Sequence, residues 1–187
     1  MARKKKQQYW IDYSQTAHKK GNFYTPSAPL LFSLQQALYD HHKDKEHKKQ
    51  IESIRAFLQQ KYQGNWLWTL SQVEYKQKEK DIITHDVGLP SQYTLTADIK
   101  GERGKVTNLS SLNIALENIF GICDVKQAEQ LGQWLTKKSV YLWRYISSEI
   151  TTTELCGVTV SGNYDVFNLY GISHVGSLRA SFGVRLL

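Results

Sequence analysis

The side chains of this chain best suited to chemistry are its six histidines, its two cysteines and the carboxylates beside them. His41, His42 and His47, with Asp44 and Glu46, carry donors that suit a divalent metal. His42 and Glu46 come nearest to ligand spacing, one helical turn apart. A metal centre also needs several oriented ligands with partners behind them. Nothing in the stretch supplies these, so a solvated polar helix end is expected there. His85 and Asp86 are an acid–base pair in composition, but neighbours on a strand point to opposite faces and do not meet. A surface turn is expected at that position. Cys123 and Cys156 lack both redox spacing and a neighbouring base. Cys156, in an apolar context, reads as a small core residue. The sequence contains no Gly-rich phosphate loop, no nucleophile elbow and no zinc signature. A metal-dependent hydrolase using His41, His42 and His85 is therefore a third reading behind two binding functions. No enzymatic activity and no cofactor are expected.

The closing stretch, "GNYDVFNLYGISHVGSLRASFGVRLL", is informative in another way. After Glu154 the chain uses no Lys, Glu, Gln, Met or Trp, although all five occur before it. Strand alternation sorts what remains. If Val158 and Val160 face a core, Thr159, Ser161 and Asn163 face outward. Beyond a turn near Gly162–Tyr164, Phe167 and Leu169 return inward, leaving Val166, Asn168 and Tyr170 outside. "GISHVGSLRA" has no regular period and is expected as an exposed loop carrying Ile172, Ser173, His174 and Ser177. "FGVRLL" follows as an apolar strand, with Arg185 paired. Asn, Ser and Tyr on one surface combine adaptable hydrogen bonding with aromatic contact area, as recognition surfaces do.

Those positions need elements to hold them. At 187 residues and 41% hydrophobic, the chain is long and apolar enough for one domain with a core. Residues 1–25, basic and then aromatic, read as an N-terminal arm or peripheral strand. Ser27 is placed to cap a helix bearing Leu30, Leu31, Leu34 and Leu38, with Pro29 in its first turn. A second helix is expected from about Asp44 to Tyr62, with Ile51, Ile54, Leu58 and Tyr62 on one face and Gly64 ending it. "NWLWTLSQVEYK", "DIITHDV" and "YTLTADI" read as strands. Asn108 or Ser110 then caps a helix closed by Gly121, and Asp124 caps another reaching Leu135. "SVYLWRYIS", "TTELCGVTV", "YDVFNLYG" and "ASFGVRLL" complete a mostly antiparallel sheet. The fold class is α+β.

The net charge is +7, with much of the excess in "ARKKK" and in "HHKDKEHKK" at 41–49. Phosphate contacts from these segments make a nucleic-acid-binding or virion-associated accessory protein the alternative function. Two cysteines fit a reducing compartment, no apolar region follows the basic start, and no apolar run is long enough to span a bilayer. A protein soluble in a host cytoplasm or held in a virion is expected.

"VYLWR", the spaced strands after it and the terminal "SFGVRLL" resemble C-type-lectin-fold proteins. More narrowly they resemble the variable proteins of diversity-generating retroelements, especially those of archaeal viruses and their relatives. In that family, adenine-directed mutagenesis rewrites AAY codons, and such codons can never yield Lys, Glu, Gln, Met or Trp. The resemblance covers about the last 80 residues. It implies a C-type-lectin-like domain over 26–187 with a variable region at about 157–182. It also implies a protein ligand for an outward surface of Thr159, Ser161, Asn163, Tyr164, Val166, Asn168, Tyr170, Ile172, Ser173, His174 and Ser177, on a scaffold that includes Phe167, Leu169, Gly183, Val184 and Arg185. Calcium-dependent sugar binding is not implied, because neither an E-P-N nor a W-N-D triplet occurs.

Overall fold

A computed structural model describes residues 4–109, 112–162, 166–177, 179–181 and 183–184. The expected positions Ser110, Asn163, Tyr164 and Arg185 lie outside the described residues. The rest is a mixed α+β structure. Its helices are α1 (Gln7–Lys19), α2 (Ala28–Asp40), α3 (Lys48–Tyr62), α4 (Asn113–Ala115, continuing as a π-turn over Leu116–Phe120) and α5 (Val125–Thr136). Its strands are β1 (Trp66–Tyr75), β2 (Asp81–His85), β3 (Tyr93–Ala97), β4 (Gly104–Lys105), β5 (Ser139–Trp143), β6 (Glu154–Ser161) and β7 (Val166–His174). They form one seven-stranded sheet in the order β3-β2-β1-β6-β7-β5-β4. Every pairing is antiparallel except β5 with β7.

One face of the sheet carries the main core. Val158, Val160, Phe167, Leu169, Val140 and Leu142 pack there against α2, α3, α4 and α5. Phe167 is the hub, with ring centroids 5.2 Å from Tyr62 and 6.5 Å from Phe32. The helix ends follow local chemistry. The Asp124 carboxylate accepts the Gln127 N–H at 2.8 Å, as a cap should. Gly121 takes φ +67° to close the α4 turn, where a side chain would also press on Pro29. Helix α3 begins at Lys48 rather than Asp44, because 41–47 form a succession of turns.

Residues 4–25 do not form an arm. Residues 7–19 fold into α1, which lies on the opposite face of the sheet with Gln7, Ile11, Ser14 and Ala17 buried. Segments from the two halves of the described chain meet there: Lys5 and Arg179 exchange backbone hydrogen bonds of 2.7 and 2.9 Å, as Tyr24 and Val184 do at 2.8 and 2.7 Å. Gln7 explains why a polar residue is buried. Strand β1 bulges between Trp68 and Gln72. The Gln7 amide donates to the Thr69 and Ser71 carbonyls at 3.2 and 3.0 Å, satisfying acceptors within that bulge.

His85 also departs from expectation. It ends β2 fully buried rather than lying in a surface turn, and Asp86 makes the turn with φ +52°. The imidazole lies 2.8 Å from both the Ser71 hydroxyl and the Asn118 carbonyl. The carbonyl can only accept, so Nε2 carries the hydrogen and Nδ1 accepts from Ser71. The Ser71 oxygen in turn accepts the Ala28 N–H at the start of α2, at 2.9 Å.

Candidate functional site

The sheet face opposite the main core is where the expected recognition residues meet. Trp66 pairs with Ser161, which pairs with Asn168, which pairs with Tyr141. One step along, Trp68 pairs with Thr159, then Tyr170, then Trp143. Paired residues share a face, so these eight side chains lie on one side.

Small residues in the middle strand bring large ones together. Strands β1 and β7 flank β6 and are therefore roughly 9.6 Å apart. Thr159 and Ser161 are short enough for rings to pass over them. The Trp66 and Tyr170 rings meet there with centroids 4.1 Å apart, and Trp143 stacks 5.6 Å from Tyr170 with planes 9° apart. The Arg179 guanidinium lies 4.7 Å from the Trp66 ring. The row Arg179–Trp66–Tyr170–Trp143 thus crosses the sheet from β1 to β5. Asn168 fixes one end, its Oδ1 accepting the Trp143 indole N–H at 3.0 Å. Burial among the rings raises the Tyr170 phenol pKa, against a smaller opposing pull from Arg179.

Helix α1 extends the row. The Trp10 indole donates to the Arg179 carbonyl at 3.2 Å. Trp10 meets Tyr9 and Tyr13 edge to face at 5.3 and 6.2 Å. Tyr9 and Tyr13 are 46% and 45% exposed, and the Lys5 ammonium lies 5.0 Å from the Tyr9 ring.

Alternation therefore holds across Thr159, Ser161, Val166, Asn168 and Tyr170, but outward does not mean open. Thr159 and Ser161 are fully buried and Asn168 is 3% exposed, because the rings, α1 and residues 175–177 and 179–181 cover them. Ser173 is buried as well, its hydroxyl 2.6 Å from that of Thr159. The region 171–174 is not loop but the end of β7. A bulge opposite Val158 absorbs Gly171 and Ile172, and Ile172 turns toward the main core. His174 pairs with the core residue Cys156, so it belongs to the helix-bearing face, where it is exposed at the end of the sheet. Val166, Tyr170 and Ser177 are partly exposed. Gly157 lies inside the expected variable region yet is locked: a Cβ there would stand 2.3 Å from the Trp68 ring and 2.8 Å from Gln7 Oε1.

The other candidates stay apart. Among the described residues no three His, Cys, Asp or Glu side chains converge as metal ligands do. His42 stacks on Tyr39, centroids 5.1 Å apart, and Cys123 is exposed. Cys156 is buried, which pushes its thiol up to about 11 and away from nucleophilic use. Among the described residues no helix is long and apolar enough to cross a membrane.

Trp10, Tyr13, Trp66 and Trp143 were not singled out from sequence as contact residues. The signal available was the aromatic density of "QQYWIDY", "NWLW" and "VYLWR". No family model, curated protein or solved structure matches this chain.

Proposed function

We propose that this chain is a recognition module. It binds a protein ligand through the aromatic surface running from Tyr13, Trp10 and Tyr9 past Arg179 to Trp66, Tyr170 and Trp143. The observation that carries this is the continuous row of Trp, Tyr and Arg across strands and helix. These are the residue types that dominate binding energy at protein interfaces. Tyr170 has a ring beside it on each flank, so the row offers mainly ring edges and an arginine. That suits carbonyls and apolar side chains better than intercalating bases. Membership in the C-type-lectin-fold variable proteins of diversity-generating retroelements is part of the same proposal. It is supported by the residue types missing after Glu154 and by the terminal G-V-R. Within it, the exchangeable contacts narrow to Val166 and Ser177, with Tyr9, Trp10, Tyr13, Trp66, Trp143 and Tyr170 as fixed anchors.

The test is to pan a displayed library of protein fragments on the wild-type chain. The recovered clones are then measured on Tyr13→Ala, Trp143→Ala and, as a control on the helical layer, Phe57→Ser. Loss of about tenfold or more on the first two, with none on the control, is expected for central aromatics. Clones that bind all variants equally would overturn the assignment. The nucleic-acid alternative rests on Lys5 beside Tyr9. Steeply salt-dependent binding of a labelled oligonucleotide, lost when Lys4, Lys5 and Lys6 become Gln, would favour it instead.

A further inference from the structure

Away from the aromatic face, the turn between α2 and α3 closes one side of a cavity of about 390 Å³. His42, Lys43, Lys45 and Lys48 line it from the turn and the start of α3; Arg55 lines it one helical turn below Glu52, and Trp134 from α5. Glu52 is the one carboxylate among the lining residues, and it makes no ion pair within 4 Å with any of these cations. Asp44 and Glu46 lie in the same turn but do not line the cavity, and Asp44 is occupied by the Glu46 backbone N–H at 3.0 Å.

The site is held rather than merely charged. The Arg55 guanidinium lies 5.1 Å from the Trp134 ring, so an indole and not a carboxylate positions it. Its Nε is sealed from solvent and has no hydrogen-bond partner. A guanidinium on an aromatic face keeps its edge donors free, in the fork that matches two oxygens of a phosphate. Trp134 is itself braced by Tyr39, centroids 6.0 Å apart, and His42 is fixed by its Nδ1 contact with the Tyr39 carbonyl.

The local electrostatics favour an anion at this turn. Helix α3 has no side-chain cap and no acid in its first turn, which instead begins Lys48–Lys49. Cations at a helix N-terminus work against the macrodipole, and the neighbouring lysines repel one another. An anion in the cavity would relieve both effects at once.

From these observations we infer that the α2–α3 cavity binds a phosphate-bearing ligand. Arg55 supplies the planar fork, Lys43, Lys45 and Lys48 supply charge, and Trp134 sets the orientation of the arginine. The site is separate from the proposed protein-binding face, and its test does not depend on that proposal.

Isothermal titration at roughly physiological ionic strength, where surface attraction is screened beyond about 8 Å, separates a built site from diffuse charge. The probes are sodium pyrophosphate, ATP, and vesicles of phosphatidylcholine with or without a phosphoinositide. Saturable one-to-one binding of at least one probe is expected, and which one binds identifies the source of the phosphate. Arg55→Gln should weaken it by about tenfold or more, the scale of a charge-assisted hydrogen bond. Arg55→Lys should weaken it less, because charge remains while the fork is lost. Lys43→Gln/Lys45→Gln changes only exposed side chains and should weaken binding without lowering thermal stability. Lys78→Gln/Lys80→Gln, on the β1–β2 turn, should leave affinity unchanged. No saturable binding by any probe would overturn the inference. Equal losses from the cavity and β1–β2 lysine pairs would also do so.

Discussion

Tyr170 is the residue on which the aromatic row turns, and replacing it with alanine gives a magnitude that can be worked out. The ring has two partners, Trp66 at 4.1 Å and Trp143 at 5.6 Å. Each aromatic pair contributes about 0.5–1.5 kcal/mol beyond area burial. Loss of a half-buried aromatic surface adds about 1 kcal/mol. Tyr170→Ala should therefore cost about 2–4 kcal/mol of folding stability. Tyr170→Phe, which keeps the ring, should cost no more than about 0.5 kcal/mol. Equilibrium urea unfolding followed by far-ultraviolet circular dichroism is the appropriate assay, since removing a ring beside two tryptophans changes fluorescence directly. A double-mutant cycle with Trp143→Ala isolates one pair and should return a coupling of about 0.5–1.5 kcal/mol. If Tyr170→Ala shifted the midpoint by less than about 0.5 kcal/mol at unchanged slope, or if the coupling vanished, the row would not be an energetic unit.

Gly157→Ala should destabilise by about 1–3 kcal/mol in the same assay, because its methyl meets Trp68 and Gln7, both nearly or fully buried and hydrogen-bonded; a neutral result would show that β6 can move away from α1. Burial lowers the His85 pKa below its ordinary 6.5, outweighing the hydrogen bond to Asn118 and the charge of Asp86. The unfolded chain then binds the proton more tightly, so the stability contributed by neutral His85 is complete above about pH 6.5 and is lost as pH falls toward the folded value. The urea midpoint should fall between about pH 7.5 and 5.5, and His85→Gln should reduce that fall; a midpoint constant over this window, which straddles the ordinary histidine pKa, would contradict the buried neutral imidazole.

Local chemistry made much of the fold legible. Leu31, Leu38, Leu58 and Tyr62 recur at helical spacing and are buried as such, and Asp124 and Gly121 end helices where expected. The alternation of Val158, Val160, Phe167 and Leu169 gave the correct parity for both terminal strands. What could not be read was the cover on the other face. Helix α1 buries Gln7 and Ser14 beside only a few apolar residues, so its amphipathic pattern is faint, and its partners in β1 lie more than 60 positions away. Trp66 and Tyr170 meet across an intervening strand, a register that no local window contains. Ser161 and Thr159 therefore looked like surface residues when they are the floor beneath the rings. His174 changed faces through a bulge whose only mark in the sequence is Gly171.

The most direct measurement is a saturation substitution scan of residues 157–177, sorted for the amount of folded chain on a display surface. Gly157, Thr159, Ser161, Asn168 and Ser173 should reject large side chains, and Tyr170 should accept only aromatic ones. Val166, His174 and Ser177 should take nearly anything. If tryptophan or lysine at Thr159 and Ser161 were displayed as well as at His174, the floor would be open surface, and the row built over it would not hold the recognition face.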